Sequence, residues 1–345
     1  MKKSTVYFLP WAEKERLIPF LEASNSLELF NKNDLVAVKI HFGERGGDGH
    51  IKPELIKPIV KTLKKKKCRP FMTDTNTIYS GPRNNAVSHL EVAAEHGYSL
   101  NRIQTPILIA DGLRGDDYRS VKIEGKHFKS VKIASGILLA NSMLVLSHFK
   151  GHILCGFGGA VKNLGMGCGS RTGKFEMHSG SNPVVAEKKC IACGACIKRC
   201  AHNALSIDDN HIVLSKDNCV GCGECIITCP TDALSIDWAG GSIIVQERLA
   251  EYALGAVHGK KPLYINFLNH ITPNCDCMGM KEKPLIEDIG ILASFDPVAI
   301  DQACYDLIVK EHGDIFAKAH NGIDGTVQLK HAEEMGLGTR KYELK

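Results

Sequence analysis

The sequence has no uninterrupted apolar run of membrane length. Its most apolar long stretch, Ile133 to Ser147, holds fifteen residues and includes Asn141 and several serines, short of the roughly 20 needed to cross a bilayer. It reads as a buried helix followed by a strand, so no membrane partner is expected. No secretory leader is expected either, because the lysines and brief apolar run near the start are interrupted by Pro10 and the charges of AEKER before a signal-peptide core can form. The expected location is therefore cytoplasmic. Net charge is also small, a formal +5 over 345 residues, too little to argue for nucleic acid. Nor is there a Walker or dinucleotide-binding spacing, because GFGGAV at Gly156 to Val161 lacks the later glycine in register.

Cysteine, by contrast, is abundant. The chain has 14, and in a cytosolic protein that number implies metal or redox chemistry under reducing conditions, since a disulfide framework needs an oxidising compartment. Eight fall between Cys190 and Cys229, as CIACGACIKRC, eighteen further residues and CVGCGECIITC, each half spelling C-x2-C-x2-C-x3-C. The halves superpose at an offset of 29, with eleven of nineteen positions identical from Cys190 to Asp208 against Cys219 to Asp237. This is an internal duplication.

A cubane iron–sulfur cluster takes four thiolates, three of which can come from one tight loop when each lies three positions from the next. In the bacterial two-cluster arrangement the fourth cysteine of each run serves the other cluster. One [4Fe-4S] cluster is thus expected on Cys190, Cys193, Cys196 and Cys229, and a second on Cys219, Cys222, Cys225 and Cys200. A structural zinc site pairs two C-x2-C knuckles and leaves the third cysteine of each run unexplained. Ala201 departs from the pattern, which has proline after the fourth cysteine; that weakens a turn and spares the ligands.

The flanking sequence alternates strands and helices. Thr5–Leu9, Leu35–His41, Pro70–Asp74 and Pro106–Ala110 read as strands, with helices over Pro53–Lys67 and Asn84–His96. A hairpin is expected around Glu124-Gly125 and a buried strand at Met143–Ser147. Beyond the cysteine-rich segment the pattern resumes with a helix over Ser242–Val257, strands at Pro262–Phe267 and Ile289–Ser294, and a helix opened by Asp296-Pro297. The expected fold class is α/β: a mostly parallel sheet domain built from both ends of the chain, residues 1–187 and 239–345. An inserted α+β two-cluster ferredoxin-like module occupies 188–238.

In open α/β sheets ligands collect outside the carboxyl ends of strands, which directs attention to the loops His41–His50 (HFGERGGDGH) and Thr73–Asn84 (TDTNTIYSGPRN). A third candidate is His148 to Ser179, with eight glycines, three histidines and the cations Lys150, Lys162, Arg171 and Lys174. Gly156, Gly158 and Gly159 are candidates for close backbone approach to a cofactor. Lys162 and Arg171 are candidate anchors for a small anionic ligand, and His152 is a candidate proton donor or metal ligand. The alternative is a glycine-rich helix packed hard on the sheet or the clusters. Cys275 and Cys277, two apart in a loop, can share a third metal with Cys155, Cys168 or a histidine of the glycine-rich stretch. A flavin is the other candidate cofactor. Cys68 and Cys304 have no such company and read as packing residues. The lysine run ending at Cys68 reads as the solvated end of a helix, or else as a docking patch for an acidic electron carrier.

VKIHFGERG from Val38, DTNTIYSGPR from Asp74, SHFKGHILCGFGGAVKNLGMGCGSRTGK from Ser147, the paired cysteine runs, ITPNCDC from Ile271 and DIGILASFDPVAID from Asp288 together resemble the DUF362 family over nearly the whole chain. The resemblance implies a domain often fused to ferredoxin clusters and associated with anaerobic metabolism, with no settled reaction. The resulting expectation is an oxidoreductase of unknown substrate, in which two [4Fe-4S] clusters relay electrons between a redox partner protein and a site in the α/β domain. The alternatives are a non-catalytic ferredoxin-type carrier with a large docking domain, and an iron–sulfur sensor or assembly factor.

Overall fold

The strand Ser142–His148 is buried at every position, and the sheet extends to both sides of it. In the computed structural model, which describes residues 3–345 apart from 80, 179–182, 201, 220–223, 232 and 236–240, the main sheet has eight strands. They are β1 (Ser4–Pro10), β2 (Leu35–Lys39), β3 (Arg69–Asp74), β4 (Ile107–Ile109), β5 (Ser142–His148), β6 (Leu263–Leu268), β7 (Gly290–Ser294) and β8 (Tyr342–Leu344). Their spatial order is β8-β1-β7-β6-β5-β2-β3-β4. Every pairing is parallel except the two made by β7, which runs antiparallel to β1 and β6. Strands from both ends of the chain meet at β5 and β6, so the expected α/β class and two-ended sheet are observed.

Both faces of the sheet are covered, as continuous apolar strands require. Along β5, Met143 and Val145 face one hydrophobic core and Leu144 and Leu146 the other, the two-residue alternation of a strand. The first core packs against helices α3 (Ala160–Cys168), α5 (Ser242–Ala256) and α6 (Pro297–His312). The second takes α1 (Pro53–Lys65), begun at its first-turn Pro53, and the end of α2 (Ala86–Glu95), capped by Asn85. Asp296 accepts from the amides of Val298 and Ala299 at 2.9 Å each and so starts α6. Lys64 and Lys65 close α1, and Lys66 pairs with Glu28 at 3.0 Å, so the lysine run is an exposed helix end. Among the described residues no helix is long and apolar enough to cross a membrane.

The glycine-rich stretch is mostly helical. After a short hairpin (Lys150–His152 with Gly156–Gly158) come α3 and α4 (Arg171–His178). Gly165 of α3 lies so close to α5 that a Cβ there would stand 2.1 Å from the Leu249 carbonyl oxygen. Of the two readings of this composition, the glycine-rich helix packed hard on its neighbours is the one observed; helix packing outweighs glycine's poor helix propensity.

The cysteine-rich segment has a small core of its own, made of Cys196, Leu205, Ile212, Cys225 and Leu234. The duplication is visible in it: the helix Ala195–Arg199 recurs 29 residues later as Glu224–Thr228. Val184–Val185 pairs with Leu234–Ser235, and Leu205–Asp208 with His211–Leu214.

Candidate functional site

The strands that run toward one edge of the sheet end in a cavity of about 570 Å³, within the range of small-molecule sites. It lies where the strand order reverses, between β2, whose chain goes on to β3, and β5, whose chain goes on to β6. That is where open α/β sheets hold ligands. Lys39 from the end of β2, Asp74 from the end of β3 with Thr75 just after it, and Ser147 and His148 from β5 line it. Both loops singled out in the sequence contribute, the first with His41 and the second with Thr77, Tyr79 and Arg83.

The charged side chains of the lining are mostly cations, set in an otherwise largely apolar wall. Lys39 pairs with Asp74 at 3.0 Å and donates to Asn163 Oδ1 at 2.6 Å, while Asn163 donates to Leu146 O at 2.9 Å, tying α3 to β2 and β5. Arg83 pairs with Glu44 at 3.0 Å and lies 3.8 Å from Asp74. Lys150 pairs with Asp276 at 3.1 Å. Lys174 donates only to neutral oxygens in its described bonds, those of Thr75, Asn76 and Gly169. Burial pushes its ammonium down to about 8, although Asp111 and Asp74 favour the charged form.

Two cysteines and a histidine meet in the same cavity. One nitrogen of His152 and the sulfurs of Cys275 and Cys277 lie within 4.8 Å of one another, and Lys162 Nζ stands 3.7 Å from Cys275 Sγ. The hydrogen bond from Cys277, helped by Lys162 and Lys150, draws Cys275 well below the ordinary thiol range. The same bond, together with burial, drives Cys277 up. Burial opposes the Lys162 ammonium, but the Cys275 sulfur raises it above a lysine's usual value. His152 Nδ1 accepts from the amides of Leu154 and Cys155, both at 3.1 Å. The neutral ring therefore carries its proton on Nε2, and burial beside Lys162, His178 and Lys150 holds it neutral. In that ring Nε2 is the remaining donor position, and His152, Cys275 and Cys277 stand close enough together to form a candidate metal-holding group.

Of the expected site residues, His152, Lys162, Gly158 and Gly159 line the cavity, while Arg171 and Gly156 do not. Arg171 begins α4 with its amide donating to Asp111 Oδ2 at 3.0 Å, packed on the turn at Gly115; Lys174, one turn on, reaches the cavity instead. Gly156 makes room for the backbone of Gly325. A Cβ on Gly158 would meet Lys162, and one on Gly159 would meet Asp301 at 2.3 Å, so these glycines admit side chains of the protein itself. The first amides of α3 are likewise taken: Ala160 and Val161 donate to Asp301 at 2.7 and 2.9 Å. Cys168 is buried but stands outside the lining, Cys155 lines it, and Cys68 and Cys304 are buried packing residues. Composition around the glycines does not point to Lys39, Arg83 and Asn163; only their places at strand and helix ends do.

In the cysteine-rich segment, Cys222 lies outside the described residues, and the other seven cysteines are free thiols. Cys190, Cys196, Cys200, Cys225 and Cys229, drawn from both runs, gather at one small core. Amides aim at three of the sulfurs: Ala192 at Cys190 (3.5 Å), Ala204 at Cys200 and Ala233 at Cys229 (3.3 Å each). The last two are duplicates at the offset of 29. Thiolates of iron–sulfur clusters accept such N–H bonds, so this donor set fits the group.

Fold and site together define an α/β protein with a cationic, thiol-bearing cavity at its strand ends. The chain belongs to the family described as "Domain of unknown function (DUF362)", which matches residues 36–306. Among solved structures it is similar to the lactate racemase apoprotein from Thermoanaerobacterium thermosaccharolyticum (10% identity, 70% of this chain and 44% of that chain, TM-score 0.34). It is also similar to a structural-genomics protein from Thermotoga maritima (10% identity, 93% of this chain and 59% of that chain, TM-score 0.42). The chain spans about half the length of these two. No curated protein matches.

Proposed function

We propose that this chain is an iron–sulfur oxidoreductase acting on a small anionic substrate in the strand-end cavity. Cys190, Cys193, Cys196 and Cys229 would hold one [4Fe-4S] cluster and Cys219, Cys222, Cys225 and Cys200 the other. Bound there, the clusters supply one-electron transfer to and from a redox partner protein in a reducing, cytoplasmic setting. The observation that carries the catalytic part is the cavity: Lys39, Arg83, Lys150, Lys162 and Lys174 line it with Asp74 as the one carboxylate among the lining residues. Asp74, Glu44 and Asp276 already pair with Lys39, Arg83 and Lys150, which leaves Lys162 and Lys174, without a carboxylate partner among the described ion pairs, to meet an anion. Lys162 and Lys174 would bind the substrate, and Lys39 and Arg83, held by Asp74 and Glu44, would fix the walls.

The test is anaerobic. Dithionite-reduced protein, freed of excess reductant, is mixed with a panel of small carboxylate and phosphate-ester oxidants while the cluster absorbance is followed. The proposal expects at least one to restore the oxidised spectrum in the wild type and not in Lys162→Ala, at equal iron content. Reoxidation by protein carriers alone, identical in both, would instead favour the non-catalytic carrier.

A further inference from the structure

We infer that Cys275 and Cys277 are a dithiol–disulfide pair, the two-electron acceptor inside the cavity. Asp276 between them is turned away and anchored: its carboxylate meets His148 Nδ1 at 3.0 and 3.1 Å and Lys150 Nζ at 3.1 Å, and its carbonyl accepts from the Glu44 amide at 3.0 Å. With the middle residue held, the flanking cysteines both line the cavity, their sulfurs within 4.8 Å of each other. Cysteines two apart fall within the span that a disulfide bridges.

The neighbours favour a thiolate. Among the described residues the hydrogen-bond partner of Lys162 Nζ is Cys275 Sγ. Beside a neutral thiol this half-buried ammonium gains little; beside a thiolate it gains a charge pair. His152, with its Nδ1 occupied by two amides, offers an N–H and no free lone pair, which suits a thiolate better than a metal ion.

The balanced step is the reduction of the pair. Two electrons and one proton enter and the Sγ–Sγ bond breaks. Cys275 becomes a thiolate beside Lys162, and Cys277 takes the proton from water. The electrons come singly from reduced iron–sulfur clusters, a part that rests on the function proposed above.

The experiment uses full-length protein equilibrated anaerobically in dithiothreitol buffers of graded poise, quenched in acid, alkylated with iodoacetamide and mapped by mass spectrometry. The peptide carrying Cys275 and Cys277 is expected to pass from two alkylated thiols to an intact disulfide as a two-electron couple. Lys162→Gln should shift the equilibrium about tenfold toward the disulfide, about 30 mV, and Lys162→Arg should restore it. Two alkylated thiols at every poise would overturn the inference, as would sulfurs protected until a chelator is added, the mark of a metal site. Iron and acid-labile sulfide measured on the same samples separate the two ideas. A working couple in iron-free protein sinks only the cluster reading, and full iron with no couple sinks only the pair.

Discussion

The sheet and the cysteine-rich segment are held together by different means. Strand β5 sends Met143 and Val145 into one extensive core and Leu144 and Leu146 into the other, so burial of these apolar side chains, each worth roughly 1.5–3 kcal/mol, helps specify the sheet without any ligand. The small core of the segment contains five buried side chains among the described residues, and two of them, Cys196 and Cys225, are expected ligands. A core that small needs a staple, and metal binding and folding are then one event. The proposed chemistry divides along the same line, with thiols that would hold a cofactor on one side and a preformed cavity on the other.

The largest expected effect separates the two regions outright. Replacing residues 188–238 by a short flexible linker should leave a soluble remainder that unfolds cooperatively by calorimetry. Chelating iron from the full chain should open that span alone to limited proteolysis. If the remainder fails to fold, the clusters belong to the main core and the contrast collapses.

Within the sheet domain, Asp301 is the most exposed to challenge. Its buried carboxylate accepts from Ala160, Val161 and Asn266, so Asp301→Ala strands three donors. The cost should be on the order of 3 kcal/mol in urea denaturation, with iron content unchanged. A loss below about 0.5 kcal/mol would mean that α3 is held by packing alone.

A smaller effect concerns pH. Lys174 titrates at about 8, against 10.5 when free, while Lys162 is shifted upward. Sulfate affinity, measured by calorimetry, should fall several-fold between pH 7 and 9 as Lys174 loses its proton, and Lys174→Met should flatten the profile. Between pH 8 and 10.5 the unfolded chain keeps a proton that the folded one has released, so this group makes stability rise with pH there. A wild-type affinity that does not change with pH would remove Lys174 from the anion site.

Much of this architecture is legible in the sequence. Continuous apolar runs mark the buried strands, and Pro53 and Asp296 mark helix starts. The loops after β2 and β3 are locatable as ligand-facing because strand ends are where such sheets bind. Less legible is the stretch around Lys162. Eight glycines there fit a ligand-facing loop as well as a packed helix, and only the fold shows that Gly165 serves helix contact and that Gly159 admits Asp301, a partner 142 positions away in sequence. Arg171 and Lys174 are equivalent as charges in a sequence; only the turn at Gly115 decides which reaches the cavity. The pairing of β8 with β1 likewise has no local signature in three residues.

If the cysteine-rich segment carries two clusters serving the cavity, the metal stoichiometry of the chain will show it. Protein purified without oxygen and assayed for iron, acid-labile sulfide and zinc should contain about eight iron and eight sulfide per chain. Zinc at one or two per chain with no sulfide would contradict it.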